Sequence, residues 1–210
     1  MNYLPIKQLS KEWFDLKVGK VSGTRFGQLI SGRKNRLKYD LINEKLDGYI
    51  LQDDWTSEDM LFGLHNETLA LDEYERQYDV KITRGGVILS DFSKIHMGSP
   101  DGVGGEDIVY EVKSTMNGAI HIQRFIEGVE TAHIPQIINY FAVSDSIKRV
   151  MWMSYCPMRT EKPLVIWEFS LDTILDAKKG TTVRDAVKAG RLALSLLNDE
   201  LDKIEKSFIF

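Results

Sequence analysis

The chain has 210 residues, of which 43% are hydrophobic and 28% charged, and a formal net charge of −4 at neutral pH. That balance suits a globular protein and excludes a disordered or collagen-like chain, and no run approaches the ~18 consecutive apolar residues of a membrane span. The single cysteine, Cys156, excludes an intrachain disulfide and a Cys-rich zinc module, and residues 1–14 lack the basic-then-apolar layout of a signal peptide, so one domain over residues 1–210 is expected, cytoplasmic and without a membrane partner.

Taken in chain order, Ser22 suits the N-cap of a helix over 23–30, and a second helical stretch covers 37–46. Thr56 or Ser57 then caps a longer helix to Tyr74, with Glu58 and Asp59 suited to its positive end. Strand-like runs follow at 80–83, 87–92, 95–97 and 108–114, separated by Gly-rich or polar turns. A helix is predicted over 119–128, and another starts at Pro135, a favoured first-turn residue. Two more strands are predicted at 148–155 and 164–169. A long amphipathic helix over 181–206 closes the chain, with apolar Ala186, Leu192, Leu196 and Leu197. Helices first, then mostly sequential strands, then helices predict an α/β (α+β) fold with a central mixed sheet flanked by helices.

Charge is unevenly placed. Residues 17–38 hold seven basic side chains (Lys17, Lys20, Arg25, Arg33, Lys34, Arg36, Lys38) and no acidic one, whereas residues 40–79 hold twelve acidic and two basic ones. Such a stripe is either a footprint for phosphates or a solvated helix face.

The chemistry concentrates around Ser99-Pro100-Asp101-Gly102, which on its own suits a type I turn. Ile108 to Lys113 is a strand by propensity, so Glu111 and Lys113 project to one side and Tyr110 and Val112 to the other. A hairpin-like return would set Asp101 beside Glu111. Two carboxylates meeting an ammonium suit a hard divalent cation and a water: Mg²⁺ takes oxygen ligands, keeps several waters, polarises a phosphate and acidifies bound water. An acid-x-Lys triplet also occurs at Asp15–Lys17, Asp79–Lys81 and Asp176–Lys178. Of these only Asp79–Lys81 is strand-like, and no turn aspartate precedes it. Glu67 falls on a helical stripe through Met60, Leu64, Leu71 and Tyr74. A carboxylate there is costly unless paired or bound to a cation, so Glu67 is either a helix-edge residue paired with lysine or a further ligand.

Other residues read as structural. His65, His96, His121 and His133 have no zinc spacing. Cys156 reads as a packed thiol, Gly85-Gly86 and Gly104-Gly105 as turn glycines, and Trp13, Trp55, Trp152 and Trp167 as core.

The ordered set Gly63-Leu64-His65-Asn66-Glu67, Ser99-Pro100-Asp101-Gly102, Glu111-Val112-Lys113 and a helical Gln136 resembles the lambda-exonuclease or YqaJ-like viral recombinase family of the PD-(D/E)XK nuclease superfamily. The likeness extends from Trp13-Phe14-Asp15-Leu16-Lys17 through Ser22-Gly23-Thr24 to Tyr155-Cys156-Pro157 and Phe169. It implies a restriction-endonuclease-like fold and a Mg²⁺-dependent 5′→3′ exonuclease, with Mn²⁺ as substitute, that degrades one strand of linear double-stranded DNA from its end in phage-type recombination. Asp101, Glu111 and the Val112 carbonyl would hold metal, and Lys113 would orient the attacking water. Glu67 would assist a second metal or a water, Gln136 would contact the site, and Lys17, Ser22 and Thr24 would receive the 5′-phosphate. Lys17 stands where the family usually has arginine, which loses the bidentate fork. The resemblance further implies a homotrimeric ring around DNA and a single-strand annealing protein as partner. An endonuclease of the same superfamily, a noncatalytic DNA-binding or assembly subunit and a small-molecule metallohydrolase are the alternatives.

Overall fold

The computed structural model describes residues 1–32, 34–50 and 58–209, apart from the side chains of residues 58–60 and 209. The elements are β1 (Asn2–Leu4), α1 (Lys11–Lys17), α2 (Gly23–Ile30), α3 (Lys34–Asp47), α4 (Glu58–Tyr78), β2 (Thr83–Arg84), β3 (Val87–Leu89), β4 (Met97–Gly98), β5 (Gly102–Gly104), β6 (Ile108–Ser114), α5 (Gly118–Glu127), α6 (Ile134–Val143), β7 (Arg149–Tyr155), β8 (Leu164–Phe169), β9 (Ile174–Asp176), β10 (Thr181–Thr182) and α7 (Val183–Ile209).

The central sheet has the order β2-β5-β6-β7-β8. β6 and β7 are parallel, and every other pair is antiparallel. Parallel neighbours need a crossover, and α5 and α6 supply it. Both strands are covered on both faces, so they read as nearly continuous apolar runs. Their alternation is strict. Val109, Val150 and Trp152 face a core shared with α2, α3, α6 and α7, while Tyr110, Val112, Met151 and Met153 face Ala70, Leu71 and Tyr74 of α4. α6 is buried all round from Ile137 to Val143 and is the central helix of its layer. α2 packs closely on α6 and α7. A Cβ at Gly190 would lie 2.5 Å from the Phe26 ring, and one at Gly27 would lie 3.3 Å from Pro135. A second sheet, β1-β3-β4, ties the N-terminus down, and the backbone of Val21 bonds to Ile95 and Met97 beside it.

Several predicted features shift. α1 was not foreseen. It is a short helix whose Ser10 N-cap accepts the Trp13 N–H, with an amphipathic pattern too brief to register. Residues 102–104, read as turn, form β5 against β6. The 80–83 strand moves to Thr83–Arg84, and Asp79 lies outside any strand at φ 50, which removes the Asp79–Lys81 rival. Residues 181–182 are strand, and the last helix starts at Val183. Its core residues are Val187, Leu194, Leu197 and Leu201, whereas Leu192 and Leu196 are exposed. The caps predicted at Thr56 or Ser57, and Trp55, lie outside the described residues.

The basic stretch is largely an internal pairing surface. Lys34 and Lys38 meet Glu200, Arg25 meets Glu44 and Arg36 meets Asp40. Among the described residues, no carboxylate lies within ion-pair distance of Lys17 or Lys20. Arg33 is outside them.

Candidate active site

The site sits where one strand stops and its neighbour runs on. β5 begins at Gly102, opposite Tyr110, so residues 111–114 of β6 have β7 on one side and, among the described residues, no strand on the other. Asp101 occupies the gap. Its backbone N–H donates to Tyr110 O (3.1 Å), and its Oδ2 accepts the Val112 N–H (2.7 Å). In a strand one residue's N–H and C=O share an edge, so the Val112 carbonyl faces the same gap. The hairpin thus does what the Ser99–Gly102 motif promised.

The preceding turn is clamped. Trp13 Nε1 donates to Ser99 Oγ (2.8 Å), and Gln8 Nε2 donates to Pro100 O (3.0 Å). The hydroxyl of Tyr140 lies 3.2 Å from Ser99 O and donates to Glu111 Oε2 at 2.5 Å. Lys113 Nζ donates to the other oxygen, Oε1, also at 2.5 Å. The Glu111 side chain is 2% exposed, so both oxygens need such donors. Gln136 Nε2 approaches the Tyr140 hydroxyl at 3.5 Å, and the α2 start lies against Gln136, since a Cβ at Gly23 would be 3.3 Å from its Cγ.

Glu67 reaches this centre from α4. The stripe that suggested it is displaced: Leu64 is exposed, Met60 has no described side chain, and the buried positions are Asn66, Ala70, Leu71 and Tyr74. α4 meets the sheet only from its middle onward, and Glu67 stands at that boundary, half-buried. Burial, then the charge of Glu111, pushes the Glu67 carboxyl up to about 7, against a partial opposing pull from Lys113. Burial, followed by Glu111 and Glu67, likewise raises Asp101 well above the usual carboxylate range. Burial pulls the Lys113 ammonium down, but Glu111, Asp101 and Glu67 outweigh it and hold its pKa above the ordinary value. Three carboxyl groups therefore crowd one ammonium, and Asp101 and Glu67 respond by holding their protons more tightly.

A free glutamate loses its proton near 4.5, whereas Glu67 in the folded chain keeps it to about 7. The native state binds more protons between these values, so stability falls as pH rises through that window. Discounted for partial exposure, the effect is on the order of 1–2 kcal/mol. In chelator, the melting temperature should be several degrees lower at pH 8 than at pH 5.5, and Glu67→Gln should flatten the slope.

The oxygen donors (Asp101, Glu111, Glu67 and the Val112 carbonyl) are of the type a hard dication takes. Among the described residues no three Asp, Glu, His or Cys side chains stand in a metal-holding cluster. Mg²⁺ needs only one or two carboxylates, with water completing the shell.

The residues expected to meet a 5′-phosphate are split. Ser22 is buried at the α2 N-cap, with no side-chain bond to the helix, while Thr24 is exposed. Lys17 stands 4.3 Å over the Trp13 ring, and burial followed by Arg25 lowers its pKa. Trp13 thus links Lys17 to the Ser99 turn. Sequence reading missed Tyr140, although its spacing of four from Gln136 puts both on one face of α6. It also missed the Arg25–Glu44 pair, in which Glu44 additionally accepts the Gly19 N–H (3.0 Å) and Arg25 donates to Lys20 O (2.9 Å). The histidines are structural where buried: His96 bonds Asn139 and Ser90, and His121 bonds Ser154 and Lys162.

Comparisons with known proteins agree with this architecture. The YqaJ-like viral recombinase domain matches residues 12–146, and the chain belongs to that family. The fold is similar to an alkaline exonuclease, LHK-Exo, from Laribacter hongkongensis, with a TM-score of 0.74 at 19% identity over 95% of this chain and 98% of that one. LHK-Exo in complex with dAMP superposes with a TM-score of 0.75 at 18% identity, over 95% of this chain and 98% of that one. A phage-related exonuclease from Haemophilus somnus 129PT gives 0.51 at 12% identity, over 87% and 96% of the two chains. No curated protein is similar enough in sequence to count as a match. The fold is therefore the restriction-endonuclease-like mixed sheet flanked by helices.

Proposed function

We propose that the chain is a Mg²⁺-dependent deoxyribonuclease that degrades one strand of linear duplex DNA from its 5′ end. The observation that carries this reading is the convergence of Asp101, Glu111, Glu67 and Lys113 at the unpaired edge of β6. Family membership and the fold shared with exonucleases support it.

Asp101, Glu111 and the Val112 carbonyl would hold the cation, which when bound supplies charge neutralisation at the phosphate and acidifies a water; Mn²⁺ would substitute. Lys113 orients the attacking water and offsets charge growing on the phosphate. Glu67, once ionised, accepts a proton from water or supports a second cation. Tyr140 fixes one Glu111 oxygen and Gln136 lies next to it. On the α2 side, Lys17, Ser22 and Thr24 receive the terminal 5′-phosphate. A homotrimeric ring, a single-strand annealing partner, a role in phage-type recombination and a cytoplasmic location complete the proposal by resemblance.

Lys17→Ala tests the phosphate anchor. One charged hydrogen bond contributes about 1.5–3 kcal/mol, so the preference for 5′-phosphorylated over 5′-hydroxyl ends should fall by roughly 10–100-fold. Initial rates on the two ends, beside a covalently closed circle, check it. An unchanged preference would remove Lys17 from the anchor, and cutting of the circle would replace the exonuclease with an endonuclease.

A further inference from the structure

The central sheet ends at β8, whose second edge carries no strand among the described residues. The Cys156 N–H donates to Pro163 O (2.8 Å), one step beyond the Tyr155–Leu164 pair, and bonded pairs alternate along an antiparallel ladder. Residues 163, 165, 167 and 169 therefore bond toward β7, while the N–H and C=O groups of Leu164, Ile166 and Glu168 point away from it. Among the described residues these outward groups have no hydrogen-bond partner. Proline or charge commonly blunts such an edge; here Pro163 and Glu168 stand at its two ends, and Leu164 to Trp167 between them carry neither. A cavity of about 340 Å³ follows the edge, with Tyr78 at the end of α4 and Phe125 of α5 among its walls. A second, of about 420 Å³, shares Phe125, Lys162 and Val165 with it and adds Ile122 and Met158. Tyr78, Ile122, Phe125 and Met158 are all exposed, an apolar surface beside an open strand.

An occupant that satisfies both features must bring an extended backbone and free side chains together. The β8 of a second copy has the backbone, but its side chains from Leu164 to Trp167 are committed to its own cores and could not fill these cavities. A single extended peptide has both. Charge narrows it further. Arg159 and Lys162 line the larger cavity against the single Glu161, both are exposed, and among the described residues no carboxylate lies within ion-pair distance of either. Lys162 Nζ instead lies 4.5 Å over the Phe125 ring, which places the cation beside the apolar wall. We propose that the free edge of β8 docks an extended peptide of a partner protein. The peptide adds a strand to the sheet, sets an apolar side chain against Phe125 and Met158, and brings an acidic one to Arg159 and Lys162. β7 lies between β8 and β6, so the docked strand is separate from the carboxylate centre, and the proposal does not depend on the nuclease reading.

The test selects short random peptides, displayed as a library, on the full chain, and then measures the Kd of the enriched sequences as synthetic peptides. They should alternate apolar and polar residues and carry Asp or Glu. Methylating the peptide's backbone nitrogens one at a time should weaken binding at every second position only, because alternate N–H groups face β8. Lys162→Glu or Arg159→Glu, both at exposed positions, should weaken the acidic peptides roughly tenfold or more, the effect of losing a charged hydrogen bond. Replacing the peptide's acid by lysine should restore binding to those variants. Selection that yields no such peptide, N-methylation effects without the two-residue period, or indifference to both charge reversals would each overturn the docking site. Self-association of the wild-type chain that Lys162→Glu abolishes would put a second copy on the edge and overturn the peptide as its occupant.

Discussion

Lys113→Ala is expected to slow DNA cleavage by about 10³-fold or more, in the range found when a preorganised group facing a transition state is deleted. The lysine has two duties here. It faces the gap where water and phosphate would meet, and it is one of two donors to a carboxylate that is 2% exposed. Its loss leaves Glu111 with Tyr140 alone, so the variant should also melt lower than wild type in chelator. Added Mg²⁺ should recover much of that loss, because a dication replaces the missing charge. Asp101→Ala and Glu111→Ala should abolish cleavage too, but they should weaken Mg²⁺ binding rather than create a need for it. Thermal melts with and without Mg²⁺, run beside initial rates, separate the two classes. A Lys113→Ala protein that cleaves at the wild-type rate would remove the lysine from the chemistry.

Glu44→Ala is expected to be the costliest single change away from that centre. Glu44 is buried, its two oxygens take the Arg25 guanidinium, and one of them also takes the Gly19 N–H. Gly19 sits at φ +64, and the chain turns there between α1 and α2. Alanine would leave a guanidinium whose side chain is 18% exposed without its anion, and a buried N–H without its acceptor. Breaking a buried pair from one side costs about 3–5 kcal/mol, which for a chain of this size lowers the melting temperature by roughly 6–20 °C. The paired change Glu44→Met with Arg25→Met should recover part of it. A Glu44→Ala loss below about 1 kcal/mol would show that solvent reaches the pair.

The strand that carries the candidate site was legible because its signals are local. β6 occupies the predicted bounds, its two-residue period places Glu111 with Lys113, and a turn aspartate ten residues earlier is the length a short hairpin needs. Pro135 likewise marked α6. What escaped depends on distant parts of the chain. Seven bases followed by twelve acids could be read only as asymmetry, because nothing in the order says that Arg25 meets Glu44 or that Lys34 and Lys38 meet a glutamate on α7. Glu67 was found for a reason that is half right: the helical period is real, but where α4 leaves the sheet is set by packing, so Leu64 on the same stripe is exposed. Tyr140 was missed because a tyrosine in an apolar helix reads as core; it is core, and its hydroxyl is also the second donor to Glu111.

On the proposed function, Asp101, Glu111 and Lys113 form a metal-dependent centre acting from 5′ ends. The most direct test is digestion of linear duplex DNA labelled at either the 5′ or the 3′ end of one strand, with Mg²⁺ or EDTA, by the wild-type protein and Lys113→Ala. Prompt release of the 5′ label as mononucleotide, with Mg²⁺ and the wild-type protein only, is the predicted result. Release that persists in EDTA or in Lys113→Ala, or that begins at the 3′ label, would contradict it.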